Sequence, residues 1–192
     1  MKHLFLGALM FMMPASAQET QTSTNNQHIV SESHLTTQIN SSYRAVEKAV
    51  RNAAVKVNTQ NGHGSGGLIK YKDMHLVLTA QHVADGALGG TYLVGTEIED
   101  RLAVLIYSDP LNDIALLYLV EEFRYAKPMK WKTNNTITET NTPITYSGYP
   151  SWHSLLSFRG TVAGYELIPE RGQQIILQTY GYFGSSGSVI YD

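Results

Sequence analysis

From Val55 onward the apolar residues of this chain come in short runs, and a turn signal closes nearly every one. Val55 and Val57 alternate with Lys56 and Asn58, which is the period of a strand with one buried face. Residues 68–71, 75–79, 91–96, 102–107 and 113–120 follow as further predicted strands. Lys72-Asp73, Gly86, Gly89-Gly90, Glu99-Asp100 and Asp109-Pro110 separate them, and the glycine-rich residues 61–67 predict a turn cluster after the first strand. Six short strands at this spacing point to a sandwich or a barrel. A polar stretch at 121–141 then looks like a connection between two units. A second set of strands is predicted at 144–147, 155–165, 173–179 and 188–191.

The chain ahead of Val55 is different. Residues 43–52 have helical character, with Ser41-Ser42 offering an N-cap. Glu47 lies three residues after Arg44 and four before Arg51, and Val46 and Val50 share a face. Residues 18–40 are rich in Thr, Ser, Asn and Gln and predict a flexible polar leader. Residues 1–17 have the order of a signal peptide: Lys2, an apolar run at 4–13, Pro14, then Ala15-Ser16-Ala17 as a cleavage signature. That run is well short of the ~20 residues a membrane-spanning helix needs. The expectation is a mature chain starting near Gln18, periplasmic or secreted, with no stable membrane anchor after cleavage.

There is no cysteine, which removes disulfides, cysteine nucleophiles and thiolate metal sites. An exported protein stabilised by its core alone points to a bacterial-type envelope protein. The formal net charge of -2 is spread without runs of like charge, so nothing suggests a nucleic-acid partner. Trp131, Trp152 and the twelve tyrosines read as barrel and loop packing.

Serine hydrolysis needs a hydroxyl nucleophile, an imidazole base, a carboxylate that fixes the imidazole tautomer, and backbone N–H donors at the developing oxyanion. Three segments offer these groups. In Val77-Leu78-Thr79-Ala80-Gln81-His82, an apolar strand runs into a small-residue turn that bears a histidine. His82 is one of seven histidines, so it carries no weight alone. In Asp113-Ile114-Ala115-Leu116-Leu117 an acid opens an apolar run, and a carboxylate buried there would want a paired N–H. In Gly184-Ser185-Ser186-Gly187-Ser188, glycines flank a serine and permit a tight turn against a substrate. His63 and His153 read as solvent-exposed loop histidines.

Taken together, from Tyr43 onward the chain resembles the trypsin-like peptidases, and the bacterial HtrA/DegP-like branch more than the digestive one. Thr79-Ala80-Gln81-His82 resembles that family's T-A-A-H block, Asp113-Ile114-Ala115-Leu116-Leu117 its D-I-A-L-L block, and Gly184-Ser185-Ser186-Gly187-Ser188 its G-[DN]-S-G-G block. Gly64-Ser65-Gly66-Gly67-Leu68-Ile69 is similar to the strand that precedes the histidine block. The order His, Asp, Ser is the family's, with gaps of 31 and 73 residues.

The resemblance implies an all-β fold of two tandem six-stranded antiparallel barrels, at 41–125 and 126–192. The second would be incomplete, because the chain ends at Asp192, and no PDZ module follows. It implies a serine endopeptidase acting on protein or peptide substrates, with Ser186 as nucleophile, His82 as base and Asp113 as its orienting carboxylate. The Gly184 and Ser186 amides would form the oxyanion hole, and no metal or other cofactor is required. Tyr180, Tyr182 and Phe183 should line the primary pocket, with Tyr180 at its base, which favours a small or medium apolar side chain over Lys or Arg. Ser188 replaces a family glycine, so its side chain either crowds the substrate or tilts away. An esterase using the same triad and a catalytically inactive binding module are the alternatives.

Overall fold

The computed structural model describes residues 41–130 and 137–192. The expected signal peptide, the polar leader and Trp131 lie outside these residues. Tyr43–Asp192 forms one body that holds two β units, a barrel and a sheet.

Helix α1 (Ala45–Ala53) leads directly into β1 (Ala54–Thr59). Next come β2 (Gly62–Tyr71), β3 (Met74–Thr79), β4 (Thr91–Gly95), β5 (Asp100–Asp109) and β6 (Ile114–Leu119). These six strands close into an antiparallel barrel in the order β1-β2-β3-β6-β5-β4. Alternation builds its core. On β6, Ala115, Leu117 and Leu119 point inward while Ile114 and Tyr118 face out. Val55, Val57, Leu68, Val77, Val94 and Leu105 supply the same inward layer from the other strands. A bulge leaves Ile106 unpaired between Leu105 and Tyr107 and bends β5 around the barrel.

The glycine-rich residues 61–67 are not a turn cluster. Only Gln60 and Asn61 form the turn, and Gly62 already pairs with Thr59. The glycines serve close packing instead. A Cβ on Gly64 would lie 2.5 Å from Val83 Cγ2, on Gly66 2.7 Å from Val77 Cγ1, and on Gly67 2.6 Å from Val189 Cγ2. Strand glycines of this kind let other chain segments come unusually near the backbone.

The second unit contains β7 (Pro143–Gly148), β8 (Leu156–Ile168), β9 (Gly172–Gln178) and the short β10 (Ile190–Tyr191), in the order β10-β7-β8-β9. Where a second six-stranded barrel was expected, the described residues form a four-stranded open sheet. Four strands do not curl far enough to close, so much of β9 is exposed, Ile175 by 53%. The strand predicted at 188–191 shrinks to two residues, because the Ser188 amide closes a turn on the Ser185 carbonyl at 3.0 Å.

Helix α1 joins the two units. Its inward face is Glu47, Val50 and Ala53, whereas Val46 is 39% exposed, so Val46 and Val50 do not share a buried face. The N-cap is Arg44 rather than Ser41 or Ser42, and the Arg44 amide donates to Glu47 Oε2 at 2.9 Å. Glu47 turns inward because Arg159 of β8 meets it, donating through Nη2 at 2.8 Å and also through Nε. These hydrogen bonds hold the Glu47 carboxyl well below the usual carboxylate range, against the opposing effect of burial. Arg51 does not join this pair. Its Nη1 donates to the Leu155 carbonyl and to Ser157 Oγ, at 3.1 and 3.0 Å.

Candidate active site

His82 sits just past the end of β3, in a turn whose neighbours anchor it. Ala80, Val83 and Ala84 are buried, and the Val83 and Ala84 amides both donate to the Ala80 carbonyl. The ring stands outward from this base. Asp113 reaches it from the turn before β6. The His82 Nδ1 lies 2.8 Å from Asp113 Oδ2 and 3.0 Å from Oδ1, and the His82 amide donates to Oδ1 at 2.9 Å. A carboxylate only accepts, so Nδ1 carries the proton and the Nε2 lone pair is free to act as a base.

The turn that delivers Asp113 is built by another acid. Asp109 Oδ1 accepts from the Leu111 and Asn112 amides at 3.0 and 3.1 Å, and Oδ2 accepts from Asn112 Nδ2 at 2.7 Å. These bonds, the one from the Asn112 side chain foremost, lower the Asp109 pKa. Asp113 itself takes φ = 56°, in the left-handed region that Asp tolerates better than most residues. The sequence pattern points to a buried carboxylate here, but the pair is open to solvent, with side chains 56% (His82) and 46% (Asp113) exposed. The acid lies in the turn, one residue before β6 begins, and so outside the barrel core.

Ser186 comes from the loop between β9 and β10, half-buried against the barrel. Its carbonyl accepts from the Ser65 amide at 2.8 Å. A Cβ on Gly187 would lie 2.3 Å from Thr79 Oγ1 and 2.9 Å from the Ala80 amide nitrogen. Only glycine, with φ = 85° at this position, lets the loop come that near the strand end that carries His82. The structure therefore joins His82 to Asp113 directly and brings the Ser186 backbone alongside the same turn. Among the described residues the His82 ring has no hydrogen-bond partner other than the Asp113 carboxylate.

The loop's polar groups are sorted. The Phe183 carbonyl accepts from the Ser151 amide, that of Gly184 from Ser65 Oγ, that of Ser185 from the Ser188 amide, and that of Ser186 from the Ser65 amide. The peptides of the described residues are all trans, so each N–H points opposite to the carbonyl before it. The Gly184 and Ser186 amides thus face away from the groups that hold the loop, and among the described residues neither has an acceptor. Ser188 tilts away from the cleft: a Cβ on Gly148 would lie 2.2 Å from its buried Oγ.

Tyr180, Tyr182 and Phe183 continue an aromatic row. Tyr146 stacks on Phe158 and Phe158 on Tyr180, each pair with centroids 5.0 Å apart, and Tyr182 meets Phe183 edge-on at 5.5 Å. The Tyr146 hydroxyl donates to the Tyr180 carbonyl, which fixes the near end of the row. Tyr180 and Tyr182 are half exposed and Phe183 is 84% exposed, so this is an open shelf.

Sequence reasoning missed two residues here. His63 is a half-buried strand residue rather than a loop histidine, and its Nε2 lies 2.8 Å from the Tyr149 carbonyl and beside Gly184. Ser65 is fully buried and ties the loop to β2. The signal for both was the glycine motif around them, where a polar residue between glycines has backbone within reach on every side. His153 is exposed.

A barrel that delivers a histidine and an acid, followed by a second β-sheet that delivers a serine, defines a chymotrypsin-like fold. The chain belongs to the trypsin-like peptidase family, matching the trypsin-like peptidase domain over residues 64–192, two thirds of its length. No curated protein sequence matches it. Among solved structures it is similar to Deg5, at 19% identity with a TM-score of 0.59, over 79% of this chain and 82% of that one. It is likewise similar to the Rv3671c protease from M. tuberculosis. For the inactive form of that protease the identity is 18% and the TM-score 0.62, over 77% of this chain and 76% of that one. For the active form the TM-score is 0.61 at 19% identity, over 77% and 68%. These likenesses extend over both β units and show the shared fold.

Proposed function

We propose that this chain is a serine endopeptidase of the periplasm or extracellular space, with His82, Asp113 and Ser186 as its triad. One observation carries the reading: His82 is paired to Asp113 through Nδ1, next to the turn against which the Ser186 loop is packed. In this reading Ser186 Oγ attacks the scissile carbonyl carbon and its proton passes to His82 Nε2. The resulting oxyanion takes hydrogen bonds from the Gly184 and Ser186 amides, where preorganised donors act most strongly. The C–N bond then breaks as His82 returns the proton to the departing amine. Water repeats the sequence on the acyl-enzyme and restores Ser186. Asp113 keeps the imidazole in its tautomer and steadies the imidazolium. The aromatic shelf of Tyr180, Tyr182 and Phe183 meets the side chain before the scissile bond.

The test is labelling of the folded chain with a fluorophosphonate, alongside hydrolysis of fluorescent casein. Wild type should label at Ser186 and cleave casein, and Ser186→Ala should do neither. Labelling and ester hydrolysis without casein cleavage would make the chain an esterase. No labelling at all would leave a binding module of the same fold. Export is checked by sequencing the N-terminus of the protein recovered outside the cytoplasm, with Gln18 the expected first residue.

A further inference from the structure

We propose that Ser65 is a positioning residue for the reaction: its buried hydroxyl holds the Gly184 carbonyl so that the Gly184 amide stays aimed at the oxyanion. The inference rests on the hydrolase reading above.

Ser65 is 0% exposed, and all of its hydrogen-bonding groups that face the cleft are engaged. Its Oγ donates to the Gly184 carbonyl at 2.6 Å and accepts from the Tyr149 amide at 2.9 Å. Its amide donates to the Ser186 carbonyl at 2.8 Å, and its carbonyl accepts from Thr79 Oγ1 at 2.7 Å. One residue of β2 therefore grips the carbonyls on both sides of Ser185 and the first residue of the loop that follows β7.

The second grip matters because of what that loop does. Two residues beyond Tyr149, the Ser151 amide holds the Phe183 carbonyl. The Phe183 carbonyl and the Gly184 N–H belong to one trans peptide, so holding the first aims the second. The Gly184 carbonyl belongs to the next peptide, and Ser65 Oγ holds that one. Gly184 thus has a peptide pinned on each side, and the two pins are tied together through the Ser65–Tyr149 bond. Gly184 sits at φ = 87°, where a glycine has little intrinsic preference for one peptide orientation, so these outside bonds decide it. A hydroxyl has one proton to donate. Alanine at 65 would free the Gly184 carbonyl and the Tyr149 amide together while leaving the Ser65 amide bond to Ser186 in place. The loss would fall on the Gly184 side of the oxyanion site and spare the placement of Ser186.

Saturation kinetics of fluorophosphonate labelling on the full chain tests this, because it separates the inactivation rate constant kinact from the half-saturation constant KI. Removing an oxyanion donor outright costs roughly 10² to 10³ in rate, so Ser65→Ala, which only releases the aim of one, should lower kinact roughly 10- to 100-fold. KI should stay unchanged, since Ser65 reaches no solvent. Val94→Ala, a truncation in the barrel core brought to the same fraction folded by choice of temperature, should keep wild-type kinact. If Ser65→Ala does not fold, Ser65→Cys, which keeps the bulk but donates weakly, takes its place with the same two readings. A folded Ser65 variant with kinact within about twofold of wild type, or with its loss in KI, overturns the inference and leaves the hydrolase reading standing. A folded wild-type chain that does not label at Ser186 overturns both.

Discussion

Asp113 meets His82 at the surface. Its carboxylate takes two hydrogen bonds from His82, one from the backbone and one from the ring, so it sets both where the histidine sits and which nitrogen is free. Asp113→Asn presents an amide that can donate to Nδ1 and hold the wrong tautomer. The expected loss is roughly 10⁴ in the turnover of an ester substrate, with the fold retained. Circular dichroism and kcat, measured together, check both halves of that statement. Two glycines at nearly the same φ separate conformational strain from contact. Gly89 has φ = 86° and open space around it, so Gly89→Ala should cost about 1–2 kcal/mol in denaturant unfolding. Gly187 has φ = 85°, but its Cβ would lie 2.2 Å from the Ser65 carbonyl oxygen. Gly187→Ala should therefore cost clearly more and also reduce labelling of Ser186, because the loop must back away from β3.

Helix α1 is a strap whose grip is ionic. Val50 and Ala53 bury beside the barrel, and the bonds to β8 are Glu47 with Arg159 and Arg51 Nη1 with Ser157 Oγ. Glu47 is nearly fully buried while the Arg159 side chain is 59% exposed, so solvent weakens the pair from one side. Arg159→Ala leaves the buried carboxylate with Arg44 alone and should destabilise the chain by about 1–3 kcal/mol, read from the urea midpoint. The same carboxyl makes stability depend on pH. Its folded pKa lies below its ordinary value of 4.5, so the unfolded chain binds the proton more readily. The contribution is present above about pH 4.5 and is lost as pH falls below it. Melting temperature should drop on acidification in wild type, and Glu47→Gln should remove that part of the slope. A slope unchanged by Glu47→Gln would show that other carboxylates carry the acid sensitivity.

At the scale of the whole molecule, a closed barrel stands beside an open sheet. The central barrel strands have both backbone edges paired and their side chains buried, whereas β9 is an edge strand with most of its residues exposed. Hydrogen exchange should therefore be slowest in β3 and β6 and at least tenfold faster in β9, which lies toward the low end of local stability. Uniform protection across both units would mean that the sheet opens only when the barrel does.

How much of this was legible from the sequence follows from what a local pattern can encode. Alternation placed nearly every strand to within a few residues, since a side chain's inward or outward direction depends only on its neighbours along the backbone. The histidine, aspartate and serine blocks were legible because each ends or begins an apolar run, and the pairing of His82 with Asp113 is now visible. The glycines of β2 were misread as a turn, since a glycine that makes room for Val83 or Val189 looks the same in sequence as one that bends the chain. Residue order alone determined where nearly every strand lies and where the histidine, aspartate and serine blocks stand along the chain. Only tertiary structure decided which buried face α1 presents, that the histidine–aspartate pair is open to water, and that Ser65 grips the serine loop, because the first and last depend on groups more than a hundred residues apart meeting within 3 Å, and the second on how the turns around two residues 31 apart stand outside the barrel core.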